Sequence, residues 1–213
     1  MKKFELTSEF ITNIFGTKLF RIKALIEFGN VKAGELGGFV EKEENLSQDG
    51  NAWVYDSARV YDNARVCGDA RVYGDARVYG DACVCGDACV CGDARVCGDA
   101  RVYGDARVYG DACVCDNACV YDNARVYGDA CECGDARVCG DAGYATVHGF
   151  GSEYRTTTFF KTKAGDIGVK CGCFYGNLSE FRKKVVETHG ETKKAKEYLM
   201  LADLMEFRFS DNS

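Results

Sequence analysis

Val72-Tyr73-Gly74-Asp75-Ala76-Arg77 is one copy of a six-residue unit that runs with little change from residue 51 to residue 142. A unit this short can bury its apolar face only against the copies before and after it, so the segment must stack as a solenoid and cannot close a globular core. In the run Ala76-Arg77-Val78-Tyr79, strand alternation puts Ala and Val on one face and Arg and Tyr on the other. The Ala/Val face is the inside. Between strands stands Gly-Asp, or Asp-Asn at Asp62-Asn63, Asp116-Asn117 and Asp122-Asn123, residue types that tolerate positive φ and close local turns. A corner every six residues, with an inward Val followed four residues later by an inward Ala, predicts a left-handed parallel β-helix with three hexads to a triangular coil. The fold class is mainly β, and the repeats make about five coils, roughly 25 Å tall at ~4.8 Å per strand spacing.

Val recurs every six residues from Val54 to Val126 and again at Val138 without a slip. Each buried Val contributes about 2 kcal/mol, so many identical small terms and the hydrogen bonds between coils hold the stack. Its open ends need caps. Glu132 takes a Val slot in the last full coil, where an unpaired charge would be costly. It is expected to sit near the open end and reach water or the C-terminal cap, with a buried functional carboxylate as the alternative.

The chain has 213 residues, a net charge of −6, no proline, no signal-like apolar start and no run long enough to span a membrane. A cytoplasmic location in a bacterial cell is the expectation, with no membrane partner. Of the fourteen cysteines, Cys83, Cys89, Cys113, Cys119 and Cys131 stand at Arg slots and Cys67, Cys85, Cys91, Cys97, Cys115, Cys133 and Cys139 at Tyr slots, all on the outer face. Arg and Tyr codons each reach Cys by one base transition. Drift between near-identical repeats in a reducing compartment therefore accounts for them without disulfides.

The flanks differ in kind. Residues 1–50 read as an N-terminal β cap, with a half-buried strand over Thr17 to Phe28 that turns Phe20, Ile22, Ala24, Ile26 and Phe28 to one side. Residues 51–142 are the β-helix. Residues 143–213 read as a C-terminal module: a hairpin of Glu153 to Lys163 and Ile167 to Phe174, then two helices. Asn177 with Glu180 is a capping box and Gly190 a stop for the first. The second, about Thr192 to Phe207, carries Ala195, Tyr198, Leu199, Ala202 and Met205 on one face. These apolar stripes need a partner surface, either the last coil or another subunit, and a homo-oligomer, with a trimer favoured, is the expectation.

The stretches Arg21-Ile22-Lys23-Ala24-Leu25, Val31-Lys32-Ala33-Gly34-Glu35-Leu36-Gly37-Gly38-Phe39-Val40, Asn45-Leu46-Ser47-Gln48 and Gly50-Asn51-Ala52-Trp53-Val54-Tyr55, followed by the repeats, carry a resemblance. Over residues 17–142 the chain resembles a family of uncharacterised hexapeptide-repeat proteins of phages and prophages, some of whose members are labelled acyltransferase or polymer-forming. The resemblance implies the β-helix fold and a phage setting, and it brings no established active site.

Acyltransferases of this fold use a histidine as general base in a cleft between subunits. The chain has two histidines: His148 after the last coil, a weak catalytic candidate, and His189 in the last turn of a helix, where a cation suits the dipole. A zinc site of three histidines is excluded by that count. On the outer face, positions eighteen apart form three columns: Trp53, Arg71, Cys89, Arg107, Arg125; Arg59, Arg77, Arg95, Cys113, Cys131; and Arg65, Cys83, Arg101, Cys119, Arg137. Arg beside Tyr suits phosphate and base. Over residues 51–142, however, nine Arg face fifteen Asp and one Glu, a net −7 that would repel a nucleic acid polymer. The preferred reading is a coat in which Arg pairs with corner Asp of neighbouring coils. A small phosphorylated ligand where subunits meet is the second reading, and acidic columns that mimic DNA or hold calcium the third.

The outward patch Cys97, Cys113, Cys115, Cys131 and Cys133 lies on a strand grid of about 4.8 by 6.8 Å, wide for tetrahedral zinc, so no metal and no cofactor is expected. The reading as a whole is a non-enzymatic binding or scaffold solenoid that engages or sequesters a host component, a defence effector or a signalling nucleotide. Tyr144, His148, Tyr154 and Arg155 are its candidate ligand contacts, and acyl transfer or filament formation are the alternatives.

Overall fold

The computed structural model describes residues 2–140, 143–150 and 156–210. Short parallel strands stack in three sheets, and the columns fall as the repeat period dictates: Trp53, Arg71, Cys89, Arg107 and Arg125 in register on one side, Arg65, Cys83, Arg101, Cys119 and Arg137 on another. The second column gains a leading member, because Phe39 pairs in parallel with Arg59, followed by Arg77, Arg95, Cys113 and Cys131. Val and Ala of the described hexads are buried and form one continuous core. Corner glycines have φ near +70°, and a Cβ at Gly68 would come 2.9 Å from the backbone nitrogen of Gly86 one coil on. Where Asp replaces this Gly at Asp56, Asp62 and Asp116, its carboxylate accepts the N–H of Gly74, Gly80 or Gly134 in the next coil.

The solenoid has about six coils, one more than the repeats alone provide. The extra coil comes from the irregular segment before them: Leu36–Val40, a 3-10 turn at Glu43–Asn45, and Leu46 bridged to Val66. Two antiparallel strands, Phe4–Thr12 and Lys18–Ala24, extend the same sheet beyond Leu36–Val40. The first of these was not expected from the sequence. Within the second, Ile22 and Ala24 face the core as alternation requires, whereas Phe20 is only half-buried and Leu19 packs outside with Phe39 and Tyr61. Trp53 stands at an outer slot yet is fully buried, with Phe4 and Phe28 edge-on to it at 6.2 and 5.3 Å.

At the other end the hairpin is part of a four-stranded antiparallel sheet: Tyr144–Val147, Thr157–Lys161, Ile167–Cys171, Phe174–Asn177. The expected start at Glu153 lies outside the described residues. Helix α1 (Leu178–His189) begins with the reciprocal Asn177–Glu180 capping box and stops at Gly190; α2 (Lys193–Phe209) is capped by Thr192. Phe181, Val185, Tyr198, Ala202 and Met205 pack with Phe159 and Val169 in a core of their own. Neither helix is long and apolar enough to cross a membrane.

Candidate functional site

The third column builds a groove. Arg65, Arg101 and Arg137 alternate with Cys83 and Cys119, and the shorter Cys side chains leave space between guanidinium groups about 10 Å apart, two coil spacings. The resulting groove, about 1090 Å³, is lined by these residues together with Lys42, Tyr103 and Tyr121. Tyr103 and Tyr121 stack with centroids 5.4 Å apart and planes 10° from parallel. Burial, then the neighbouring thiols of Cys119 and Cys139 respectively, pushes both phenols up, so they stay neutral. At the N-terminal end of the groove Lys42 donates to Asn63 Oδ1 at 3.2 Å. Burial likewise pushes the Cys85 thiol up to about 12.

The pairing of Arg with corner Asp expected from the sequence does not form here: Arg65, Arg101 and Arg137 are exposed and have no ion pair with a described residue. Several corner carboxylates instead accept backbone N–H groups: Asp69 that of Asn51, and the three aspartates at Gly slots those of the next coil. A short Asp side chain at a corner reaches the adjacent corner's amide more readily than an Arg head extended from mid-strand. These arginines are thus cations without an ion-pair partner among the described residues, beside a two-ring aromatic surface.

Of the residues singled out from the sequence, the structure describes Tyr144 and His148, which stand apart. Tyr144 is buried at the end of the solenoid with its hydroxyl unpartnered, and burial raises its phenol. It also lines a cleft of about 530 Å³ with Tyr127, Met205 and Phe207. His148, four residues on and so about 13 Å along an extended chain, is exposed; its Nδ1 lies 3.1 Å from Thr156 Oγ1. Tyr154 and Arg155 lie outside the described residues. His189 ends α1 with its ring 5.8 Å from that of Tyr198. Glu132 departs from expectation: it reaches neither water nor a cap donor, being fully buried with both carboxylate oxygens unpartnered, and burial raises its carboxyl well above 4.5. The C-terminal sheet covers the open end, with Phe160 in the same core as the last coil.

The sequence contained the signal for the groove. Alternation of Arg and Cys in one column, and only there along its whole length, leaves gaps that a continuous Arg column would fill.

The repeat pattern of the YdcK beta solenoid repeat family matches residues 58–72, 70–86, 94–110, 100–116 and 118–134. Over 63 residues, 26% of this chain, the sequence is 40% identical to a protein of Escherichia coli strain K12 named uncharacterized acetyltransferase YdcK. The match spans 19% of that relative's length, so the two share a stretch of solenoid and not a whole protein.

Proposed function

We propose that the protein is a non-enzymatic binding solenoid whose third face takes a small phosphorylated aromatic ligand of the nucleotide class. The observation that carries this reading is the row of exposed Arg65, Arg101 and Arg137, which have no ion pair with a described residue, beside the stacked Tyr103 and Tyr121. Guanidinium groups offer charge-assisted bonds to phosphate, and the ring surface offers stacking to a base. A row of cations about 10 Å apart suits a ligand with two separated anionic groups. A long polyanion would run on past the groove into the corner aspartates, where the repeats carry net −7. In the phage setting that the sequence resemblance implies, a signalling nucleotide of the host is the corresponding ligand and its sequestration the corresponding act. Calorimetry with AMP, ADP-ribose and a cyclic dinucleotide as probes tests the proposal: heat of binding from at least one is expected, and none from any of the three contradicts it.

Acetyl transfer is the second reading, favoured by the name of the relative that shares part of the solenoid. Exposed His148, hydrogen-bonded to Thr156, is the base it would use. Release of free coenzyme A from acetyl-coenzyme A with an amine or hydroxyl acceptor, lost in His148→Ala, would establish it over the first. The proposal includes self-association: Met200, Leu204 and Phe207 share one face of α2 and are 70%, 54% and 73% exposed, an apolar surface for a second and third copy of this chain. Light scattering that finds a monomer contradicts that part.

A further inference from the structure

Five cysteines on the second face take no part in the proposed binding groove. Cys113 faces Cys131 across adjacent parallel strands, and Cys115 and Cys133 follow two residues on, on the same side, with Cys97 one coil before Cys115. The coil spacing beneath them is fixed by Cys113 N–H to Ala130 O at 2.9 Å and Cys115 N–H to Glu132 O at 2.8 Å. Backbone spacing alone makes the grid too wide for zinc, but the side chains close it. The Sγ atoms of Cys113, Cys115 and Cys131 all lie within 4.8 Å of one another, and the Sγ atoms of Cys115 and Cys133 form a second such group with Asp116. A tetrahedral site with Zn–S of about 2.3 Å has sulfurs about 3.8 Å apart, so the first three need move by no more than about 1 Å and Cys133, already within 4.8 Å of Cys115, must swing in to complete the set.

Cys113 and Cys131 sit on strands, Cys115 and Cys133 directly after them, and the C-terminal sheet packs against the last strand. Cys133 is only 5% exposed, Thr158 Oγ1 accepts the Cys131 N–H at 3.2 Å, and the Tyr175 hydroxyl accepts the Asp135 N–H at 3.4 Å. The ammonium of Lys170 acts on both Cys131 and Cys133 and offsets part of the −2 charge of a zinc tetrathiolate.

We propose that Cys113, Cys115, Cys131 and Cys133 hold one soft d10 cation, zinc, as a structural site joining the last two coils of the second face. Each S–H gives its proton to solvent as the corresponding Zn–S bond forms, so binding releases up to four protons and changes no oxidation state. The position is apt, because Glu132, in a Val slot, stands on the strand Cys131–Glu132 directly between Cys131 and Cys133. Thiolates prefer zinc to the harder magnesium or calcium.

Elemental analysis of the full chain, purified under reducing conditions with zinc in the medium, is expected to find one zinc per chain. Cys113→Ser with Cys131→Ser is expected to abolish it. Cys67→Ser with Cys85→Ser, which breaks the three-sulfur group Cys67, Cys83 and Cys85 on another face, is expected to leave it. Cobalt titrated into metal-free wild-type chain gives a reading that needs no variant: a thiolate-to-cobalt charge-transfer band with tetrahedral d–d bands, saturating at one equivalent, is the expected result. Absence of both stoichiometric zinc and the cobalt bands overturns the proposal. So does loss of the metal in the Cys67/Cys85 pair and its retention in the Cys113/Cys131 pair.

Discussion

The two ends of the solenoid stop the same hydrogen-bond ladder with opposite unmet groups, and they are closed with unequal success. Outside the strand pairs the rungs donate N–H toward the next coil, while the Val rung inside each pair runs back, so the first coil is left mainly with bare carbonyls and the last mainly with bare N–H groups. At the first end the chain supplies donors. Lys3, 2% exposed, gives its ammonium to Ala52 O at 3.0 Å and Gly50 O at 3.3 Å; Asn45 gives its amide to Ala64 O at 2.8 Å and Asp62 O at 3.1 Å. At the last end Thr158 and Tyr175 supply acceptors, but Glu132 and Tyr144 are left inside with unpartnered oxygens. The first cap continues the solenoid's own sheet, so its polar groups inherit the ladder geometry. The last cap is a separate antiparallel sheet laid over the opening, and only some of its hydroxyls fall where a donor waits.

The largest expected effect comes from removing the weaker closure. Deleting residues 143–213 exposes the last layer, including Glu132, and we expect aggregation and loss of a cooperative melt by circular dichroism; a soluble fragment melting like the full chain would show that this end needs no cover. At the other end Lys3→Met leaves two carbonyls without their donor. At about 1 to 3 kcal/mol for each unsatisfied buried group, it should lower stability in urea by about 2 to 6 kcal/mol. Asn45→Ala should do the same by a comparable mechanism, and a change below 0.5 kcal/mol in both, an order-of-magnitude bound, would mean that water replaces these caps without loss.

Glu132→Val should act in the opposite direction. It restores the repeat and removes an unpaired carboxyl, raising stability by about 2 kcal/mol in the metal-bound or the metal-free protein alike. Titration separates the ends further. The folded chain holds the Glu132 proton above the usual 4.5 while the unfolded chain releases it, so stability falls as pH rises from 4.5. Burial lowers Lys3 to about 8 in the folded chain against 10.5, so above pH 8 the folded chain sheds a proton that the unfolded one keeps, and stability from this residue rises with pH up to 10.5. Melting curves of Glu132→Gln and Lys3→Met across pH should each lose one of these opposite slopes; a slope that survives its variant belongs to another group.

How much of this was legible depends on where periodicity reaches. The three columns and the Val/Ala core follow from a period of six with no slip, since each copy meets only its neighbours. The capping box at Asn177 was equally legible because it is local. Lys3, by contrast, lies 47 and 49 residues from the carbonyls it caps, and no short-range pattern announces that contact. Trp53 was read as exposed because alternation places it outward, and Phe4 and Phe28 cover it from a strand and a turn that the repeat does not contain. The arginine groove was half legible. The column order was clear, but whether corner Asp would pair with Arg or with a backbone amide depends on side-chain reach, which spacing does not encode.

The binding face is the claim on which the functional account rests, and one comparison tests it. Arg65→Gln, Arg101→Gln and Arg137→Gln together remove charge-assisted bonds worth roughly 1.5 to 3 kcal/mol apiece to a phosphorylated ligand, while costing little stability because none holds an ion pair with a described residue. Arg71→Gln with Arg107→Gln on the first face serves as the control. Calorimetry with whichever nucleotide probe binds the wild-type chain should find binding abolished in the third-face variant, retained in the control, and the melting temperature of both within a few degrees of wild type. Undiminished affinity in a folded third-face variant would contradict the account.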